Sequence, residues 1–351
     1  MALFGNRLGG MLNHKLVGLD IGSSWVRYVH LEKSNGHFEL VSLGQSRIQS
    51  SEQGDSPPDS VFIQAIRNCL KKSEMQNTLV VCGARGSDVA VRYFSLPSIS
   101  AEEARPAIVL EASQVCPFGG ESYIVDYQLI GQGQESLRGF LVATTRKLVN
   151  RQKKLIRAAS LKPVLMDVDG LAVLNCFTRL NKNQQPATTA ILNLGSSYTT
   201  LAILNEQGIP SVRDMNYAGS DIIEQIAEDN DLSEEVVEGY LFGDNSAGIS
   251  PSEFSTSFAR ASHKLMQDVA ETIRYSMAKG QSTVVDRILL CGGFALVDGF
   301  ADLIGNYFAG EVVLWNPLSE IRILDESRYG ETAKKYGSAF AVATGLAMRT
   351  I

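Results

Sequence analysis

The chain has 351 residues, of which 44% are hydrophobic and 20% are charged, and its formal net charge is −6. This length predicts more than one domain, and the acidic balance disfavours a nucleic-acid-binding protein. The five cysteines are scattered without a C-x-x-C pair, which predicts free thiols in a reducing compartment, and no run reaches the roughly 18 apolar residues of a membrane-spanning helix.

The first 84 residues alternate short apolar runs with turns of small residues. The runs predict strands over 16–20, 26–31, 38–43 and 79–82. Apolar residues at helical spacing predict a helix over 61–72.

A different pattern begins near residue 85. Strands are predicted over 88–96, 123–130 and 138–144, and helices over 100–115 and 147–159. Because this block interrupts the pattern around it, we predict a small α+β subdomain inserted into a larger domain.

The first hairpin recurs later in the chain. After a polar, hinge-like linker at Asn181–Pro186, the segment Ala190–Ser197 repeats the strand and turn of Val17–Ser24, about 170 residues further on, and 199–204 forms the return strand. Two copies of one hairpin predict two similar lobes that face each other.

The second half is mostly helical. Helices are predicted over 220–230, 233–241, 252–279, 300–308 and 338–348. One buried strand over 287–290 leads into Gly292 and Gly293. A strand that ends in two glycines allows a flat ring to lie against the backbone.

The first hairpin tip has the residue types of a phosphate site. Gly22, Ser23 and Ser24 bring backbone N–H groups and hydroxyl donors close to an anion. Arg27 is placed to reach phosphate, and Asp20 can hold Mg²⁺ through water. Taken alone, the same residues also describe an ordinary turn.

The second half supplies matching candidates for holding a cofactor. They are the second hairpin tip, a residue before a helix N-terminus, and the glycine pair with its following aromatic: Asn193, Gly195, Ser196, Ser197, Gly219, Gly292, Gly293 and Phe294. Either tip alone could be an ordinary turn. A matching pair, one in each half of the chain, favours two loops that bind one polyphosphate.

Five motifs in this order resemble the actin, Hsp70 and sugar-kinase superfamily. They are phosphate 1 at 20–27, connect 1 at 166–172, phosphate 2 at 193–200, the adenosine motif at 290–294 and connect 2 at 337–345. The resemblance implies an α/β, actin-like ATPase fold with two ribonuclease-H-like lobes, and ATP or ADP with Mg²⁺ as cofactors.

Within this superfamily the chain resembles the PilM family of type IV pilus assembly proteins, an FtsA-like branch. The likeness rests on Leu3–Gly5, Leu110–Phe118, Tyr123–Gly131 and the inserted block, which lies where this branch carries subdomain 1C. It implies a cytoplasmic ATP-binding adaptor, peripheral at the inner membrane, that docks the N-terminal tail of PilN between subdomains 1A and 1C and links it to the pilus motor ATPases. We expect no nucleic-acid partner and no direct membrane insertion, and self-association is left open.

The resemblance divides the chain into six segments. These are 1–84 (subdomain 1A with phosphate 1), 85–163 (inserted 1C), 164–185 (return to 1A and connect 1), 186–220 (2A with phosphate 2), 221–285 (2B) and 286–351 (2A with the adenosine motif and connect 2).

Some positions depart from the superfamily pattern or match it only loosely. Asn193 replaces the usual phosphate 2 aspartate, which weakens Mg²⁺ placement and predicts weak or no ATPase activity. Asp169 matches a water-orienting Gln or Glu and is the candidate catalytic residue, while Phe294 replaces a small residue beside the base. Glu271 and Asp268 match positions near the ribose or adenine, although a solvated helix face explains them equally well.

Other protein classes remain open at this point. They are a cytoplasmic actin-like component of a type II secretion or competence system, an FtsA-like filament-forming protein and a sugar-kinase-type phosphotransferase. The phosphotransferase is least favoured, because no clear catalytic acid stands beside a sugar-binding motif. An FtsA-like protein is expected to continue into an amphipathic helix, whereas connect 2 is followed here by Met348–Ile351.

Overall fold

The computed structural model describes residues 16–49, 57–71, 78–97, 99–132, 136–182, 185, 187–243, 250–280 and 284–349. The motif at Leu3–Gly5 lies outside the described residues. The strands are β1 Leu16–Ile21, β2 Trp25–Ser34, β3 His37–Arg47, β4 Leu79–Ala84, β5 Val89–Pro97, β6 Tyr123–Gln132, β7 Ser136–Thr145, β8 Lys162–Val168, β9 Thr189–Leu194, β10 Thr199–Leu204, β11 Pro210–Met215, β12 Arg287–Cys291, β13 Glu311–Leu314 and β14 Arg322–Ile323. The α-helices are α1 Asp59–Leu70, α2 Ala101–Val115, α3 Arg146–Ala158, α4 Asp169–Leu180, α5 Gly219–Asn230, α6 Glu234–Leu241, α7 Pro251–Gly280, α8 Phe300–Gly305, α9 Glu326–Tyr336 and α10 Ala341–Ala347.

Two sheets of related topology form the two lobes. The first has the strand order β14-β3-β2-β1-β4-β8, and the second has the order β11-β10-β9-β12-β13. In each, three antiparallel strands joined by tight turns continue into a parallel strand, since β4 pairs with β1 and β12 pairs with β9. The hairpin repeat in the sequence is therefore the start of each lobe.

The lobes share a core built around α4 and α10. Residues 169–177 of α4 are all buried, and α10 packs against both α4 and β1. Small residues permit this close approach: a methyl group on Gly18 would lie 2.1 Å from the carbonyl oxygen of Ala343, and one on Gly345 would lie 2.1 Å from that of Ala172. Close packing of backbone on backbone makes these positions intolerant of any side chain.

The inserted block forms a third sheet of order β5-β7-β6, covered on one face by α2. Its small core includes Phe94, Ile108 and Leu141. Ser100 caps α2 by accepting from the Glu103 amide, and the Glu103 carboxylate returns to Ser100. Such a capping box fixes where the helix begins.

Two packing relationships run across the segments drawn from the sequence. Helix α3 packs against α1 and β8 of the first lobe and also against β7 of the inserted sheet. In the C-terminal part, β14 pairs with β3 and α10 packs on β1. Strand register and long-range helix packing set these contacts, which have no local signature in the sequence.

Candidate functional site

The two hairpin tips have the same geometry. Gly22 N–H donates to Trp25 O at 2.8 Å, and Gly195 N–H donates to Tyr198 O at 3.1 Å. A methyl group on Gly22 or Gly195 would lie 2.4 or 2.6 Å from the same acceptor oxygen, so each turn requires glycine. Tight two-residue tips of this kind turn the intervening backbone amides outward.

The serines of both tips are available to a ligand. Among the hydrogen bonds of the described residues, none is donated by the amides of Ser23, Ser24, Ser196 or Ser197. Ser23 is exposed and the other three are partly exposed. Free N–H groups at a turn form a concave anion site.

A helix N-terminus lies against the second tip. Gly219 N–H donates to Gly195 O at 3.1 Å, and Ser220 N–H donates to Ser196 O at 2.8 Å, at the start of α5. The positive end of this helix dipole adds to the attraction for an anion at the tip. Phe294 is buried beneath Gly219 and packs edge-on against Phe300, so it supports the loop from the core rather than lining the cleft.

The glycine pair lies between residues that adjoin the two tips, and the space between the tips is called the cleft. Gly292 has φ +92°, and a methyl group there would lie 2.3 Å from Leu194 O, just before the second tip. A methyl group on Gly293 would lie 3.3 Å from Arg27 Nη2, just after the first tip. The structure therefore brings residues adjoining both tips to neighbouring glycines.

Arg27 is held by the first sheet and by aromatic rings. Its Nε donates to Gln45 Oε1 at 3.3 Å, and its guanidinium lies 5.5 Å from the Trp25 ring centre and 5.9 Å from that of Phe340. Burial lowers the pKa of Arg27, opposed by the negative charge of Asp20 opposite it in the β1–β2 register. This residue presents a positive charge toward the glycine pair.

Arg85, which we did not predict as a site residue, lies between β1 and the start of α4 and contacts both. It follows β4, and its Nη1 donates to Asp20 Oδ1 at 2.9 Å and also to Asp169 Oδ2. Its Nη2 donates to Ile21 O at 2.6 Å. The only signal in the sequence is a Gly-Ala-Arg-Gly run at a strand end, which does not reveal what the arginine contacts.

The electrostatics of this cluster are dominated by burial. Burial raises the pKa of Asp169 to about 7, against the opposing charge of Arg85. Burial by itself would lower the pKa of Arg85, but Asp169 and Asp20 more than offset this and raise it. The pKa of Asp214, which accepts from Gly86 N–H at 2.7 Å and from Thr200, is also raised by burial. The guanidinium is thus the fixed positive charge among three carboxyl groups.

Three further residues were predicted at or near the site, namely Asn193, Glu271 and Asp268. Asn193 Oδ1 points toward Gly292 and would lie 2.7 Å from a methyl group added to that glycine. Glu271 is exposed on α7, and Asp268 is partly exposed beside it. Neither acid is among the residues that line the cavity between α5 and α7. The roles predicted for them at the ribose or adenine therefore stay predictions.

That cavity lies between α5 and α7 and has a volume of about 430 Å³. The residues that line it include Tyr217, Asp229, Arg260 and Lys264, and Arg260 Nη2 lies 2.6 Å from Asp229 Oδ2. The Lys264 ammonium lies 4.6 Å from the Tyr217 ring centre, and the Tyr217 carbonyl accepts from Thr199 Oγ1, beside the second tip. A pocket with a ring, cations and a carboxylate suits a polar aromatic group.

The residues around the cleft are of the types that bind phosphate oxygens. Two glycine cradles, free amides, a helix N-terminus and Arg27 match phosphate oxygens. Among the described residues, no group of three or more His, Cys, Asp or Glu side chains is arranged to hold a metal. Asp20 is the residue predicted to hold Mg²⁺ through water, and its carboxylate forms an ion pair with Arg85.

Comparison with known proteins gives one family match and several structural matches. The family model described as "Type IV pilus assembly protein PilM" matches residues 18–351. A "PilM-PilN type IV pilus biogenesis complex" matches with a TM-score of 0.81 at 22% identity, covering 95% of this chain and 98% of that chain.

Two further solved structures align over nearly the whole chain. The ethanolamine utilization protein EutJ from Carboxydothermus hydrogenoformans has a TM-score of 0.53 at 12% identity, covering 96% of this chain and 90% of that chain. MreB 5 of Spiroplasma citri bound to AMPPNP has a TM-score of 0.50 at 13% identity, covering 95% of each chain. The predicted actin-like fold is confirmed. Within the residues described here, no helix has the length and apolar character to cross a membrane.

Proposed function

Because the chain belongs to the type IV pilus assembly protein PilM family, we propose that it is a nucleotide-binding adaptor that docks the N-terminal tail of a PilN-type inner-membrane protein. The sequence resemblance to this family is confirmed by the match over residues 18–351. This membership favours pilus assembly over the secretion, filament-forming and phosphotransferase alternatives. The solved relative with a TM-score of 0.81 is itself a PilM–PilN complex, which supports the choice of partner.

The proposed ligand of the cleft is ATP or ADP. Gly22, Ser23 and Ser24 would hold its phosphates from one lobe, and Gly195, Ser196 and Ser197 would hold them from the other. Arg27 and the N-terminus of α5 at Gly219 add positive charge, and the pair Gly292 and Gly293 offers flat backbone to the base. The relative MreB 5 was solved with AMPPNP, which supports a nucleotide as the ligand.

We expect slow or absent hydrolysis. The second lobe has Asn193 where the family resemblance implies a metal-binding aspartate, and the amide side chain carries no negative charge for a cation. Asp169, the predicted catalytic residue, is buried and paired with Arg85, so it is not free to orient water. The proposed role is therefore binding and not turnover.

The proposed docking site is a groove beside the inserted subdomain. A cavity of about 320 Å³ lies where this subdomain meets α4 and the turn between β10 and β11. Its lining combines apolar and cationic side chains from all three parts: Tyr93, Ile130, Arg138, Leu174, Thr178 and Ile209. An extended peptide with apolar anchors and one acidic or carbonyl group would match this lining.

The groove lies across the junction of the inserted subdomain with both lobes. A peptide bound there would contact elements that also build the nucleotide cleft, since α4 begins at Asp169. The adaptor proposal depends on this one observation, that helix α4 both lines the groove and begins at the nucleotide cleft. The protein would lie at the inner membrane through its partner, and contacts with motor ATPases belong to the same proposal.

The test is binding of a synthetic peptide that copies the N-terminal tail of the PilN-type protein encoded beside this chain. Fluorescence anisotropy would compare the unaltered protein with Tyr93→Ala, which removes an anchor that is 45% exposed at the groove. We expect at least about a tenfold loss of affinity. Phe242→Ala, at a side chain that is 51% exposed after α6, is the matched control and should bind normally. Equal affinities in all three proteins would refute the groove assignment.

A further inference from the structure

Arg85 bridges two carboxylates at the point where the sequence predicts a magnesium ion. It contacts Asp20 at 2.9 Å and Asp169 through Nη1, and the side chain of Asp169 is fully buried. The Asp20 side chain is 10% exposed and that of Arg85 is 21% exposed, so the cluster is largely buried but keeps some contact with solvent. Asp20 lies two residues before Gly22 of the first tip, so the cluster is close to any phosphate that this tip holds.

A bound magnesium ion does not fit these residues. Mg²⁺ needs oxygen ligands at about 2.0–2.1 Å in octahedral geometry, usually from one or two carboxylates and several waters. Asp20 and Asp169 are already paired with one guanidinium, and Asn193 is an amide. The nearby second-lobe carboxyl group, Asp214, accepts from Gly86 N–H and from Thr200 Oγ1. A divalent ion between Asp20 and Asp169 would also meet the charge of Arg85 within a few ångströms in a partly buried site.

Arg85 keeps N–H donors that no acceptor among the described residues uses. A guanidinium has five N–H donors, and hydrogen bonds within the described residues use both on Nη1 and one on Nη2. The remaining Nη2 hydrogen and the Nε hydrogen are free to donate to phosphate oxygens. Charge-assisted contacts of this kind are the strong ones for phosphate.

The backbone around Arg85 is built for this position. A methyl group on Gly83 would lie 1.8 Å from Asp169 Oδ1, so only glycine admits that carboxylate. Gly86 has φ +88°, and a methyl group there would lie 2.8 Å from the Tyr198 ring of the second lobe. Its amide donates to Asp214 at 2.7 Å. Two glycines thus fix Arg85 between the lobes.

We propose that Arg85 is a built-in counter-cation that takes the place of Mg²⁺, so that this chain binds a nucleoside di- or triphosphate without a metal ion. This inference rests on the proposed nucleotide site. Arg85 is held at this point by its contacts with Asp20, Asp169 and the carbonyl oxygen of Ile21. Its two free donors and Arg27 would then neutralise the phosphates.

The experiment measures ADP and ATP binding by isothermal titration calorimetry, once with EDTA and once with excess MgCl₂. For the unaltered protein we expect the two dissociation constants to agree within roughly threefold. Arg85→Gln removes the charge and frees both carboxylates, so we expect at least about a tenfold loss in EDTA and a partial recovery with MgCl₂. Arg322→Gln, at an exposed arginine paired with Glu39, is the control and should match the unaltered protein in both buffers.

Each result decides the proposal. Loss of binding in EDTA by the unaltered protein would overturn it and leave the nucleotide site standing, whereas absence of binding in both buffers would overturn both. The comparison of the two buffers uses the unaltered protein, so it tests the proposal even if Arg85→Gln fails to fold. Thermal unfolding of each protein without nucleotide shows whether the variant is folded.

Discussion

Asp167 and Arg349 form an ion pair of 2.9 Å that is almost completely buried, with side-chain exposures of 1% and 5%. Asp167 lies in β8, two residues before α4 begins, and Arg349 follows α10. Burial raises the pKa of Asp167, opposed by the charge of Arg349. The pair therefore ties the residues after α10 to strand β8 of the first sheet.

Arg349→Met should destabilise the protein strongly. The change leaves a buried carboxylate without its cation, which typically costs about 3–5 kcal/mol. Urea unfolding measured by circular dichroism gives the free energy. Arg322→Met is the control, because its pair with Glu39 leaves the arginine 77% exposed and should contribute less than about 1 kcal/mol. Similar losses in the two variants would contradict the assigned difference in burial.

Gly292→Ala and Gly299→Ala should differ although both glycines have positive φ, +92° and +77°. The shared cost of that backbone conformation is about 1 kcal/mol. At Gly299 a methyl group meets no atom within 4 Å, whereas at Gly292 it would lie 2.3 Å from Leu194 O. We expect Gly292→Ala to cost at least about 2 kcal/mol more in urea unfolding. Equal costs for the two variants would show that the loop moves away from the methyl group at Gly292 without a further loss of stability.

Asp169→Asn should flatten the dependence of stability on pH. The folded protein holds the Asp169 proton up to about pH 7, whereas the unfolded chain releases it near pH 4. The folded state then binds more protons than the unfolded state, so the stability from this group is full below about pH 4 and is lost as the pH rises toward 7. The difference in unfolding free energy between the unaltered protein and the variant should fall by a few kcal/mol over that range. A difference that grows with pH would contradict the raised pKa.

Gly293→Arg should abolish nucleotide binding and leave the fold intact. Gly293 has an ordinary φ of −67°, and the atoms near a Cβ there belong to the flexible end of Arg27. A long side chain can therefore extend into the cleft, where it would displace the base and repel Arg27. Equilibrium dialysis with labelled ADP measures the loss, and the melting temperature measures the fold. Unchanged affinity would remove the glycine pair from the site.

Much of the architecture could be predicted from the sequence. The repeated hairpin at Gly22 and Gly195 depends on neighbouring residues alone, because a tight turn needs glycine and buried strands need apolar runs. Strands β8, β11 and β13 and helix α9 were not predicted. Their residues are mixed in polarity, and they become regular only through pairing and packing with distant parts of the chain.

The partners of the charged residues could not be predicted in the same way. Arg85 is separated from Asp20 by 65 residues and from Asp169 by 84 residues, and no local pattern joins them. Phe294 was predicted beside the base, and that role stays a prediction; its ring packs inside the second lobe beneath Gly219. In both cases the direction of one side chain, and not its type, decides what it does.

The sequence by itself determined the two-lobed fold, the order of the loops and the residue types at their tips, because these follow from hydrophobic periodicity and turn stereochemistry within short segments. Only the tertiary structure decided which charges meet. The pairing of β1 with β4 and the start of α4 at Asp169 bring one guanidinium between two carboxylates. Burial then sets their protonation, since desolvation depends on surrounding atoms that no single segment supplies.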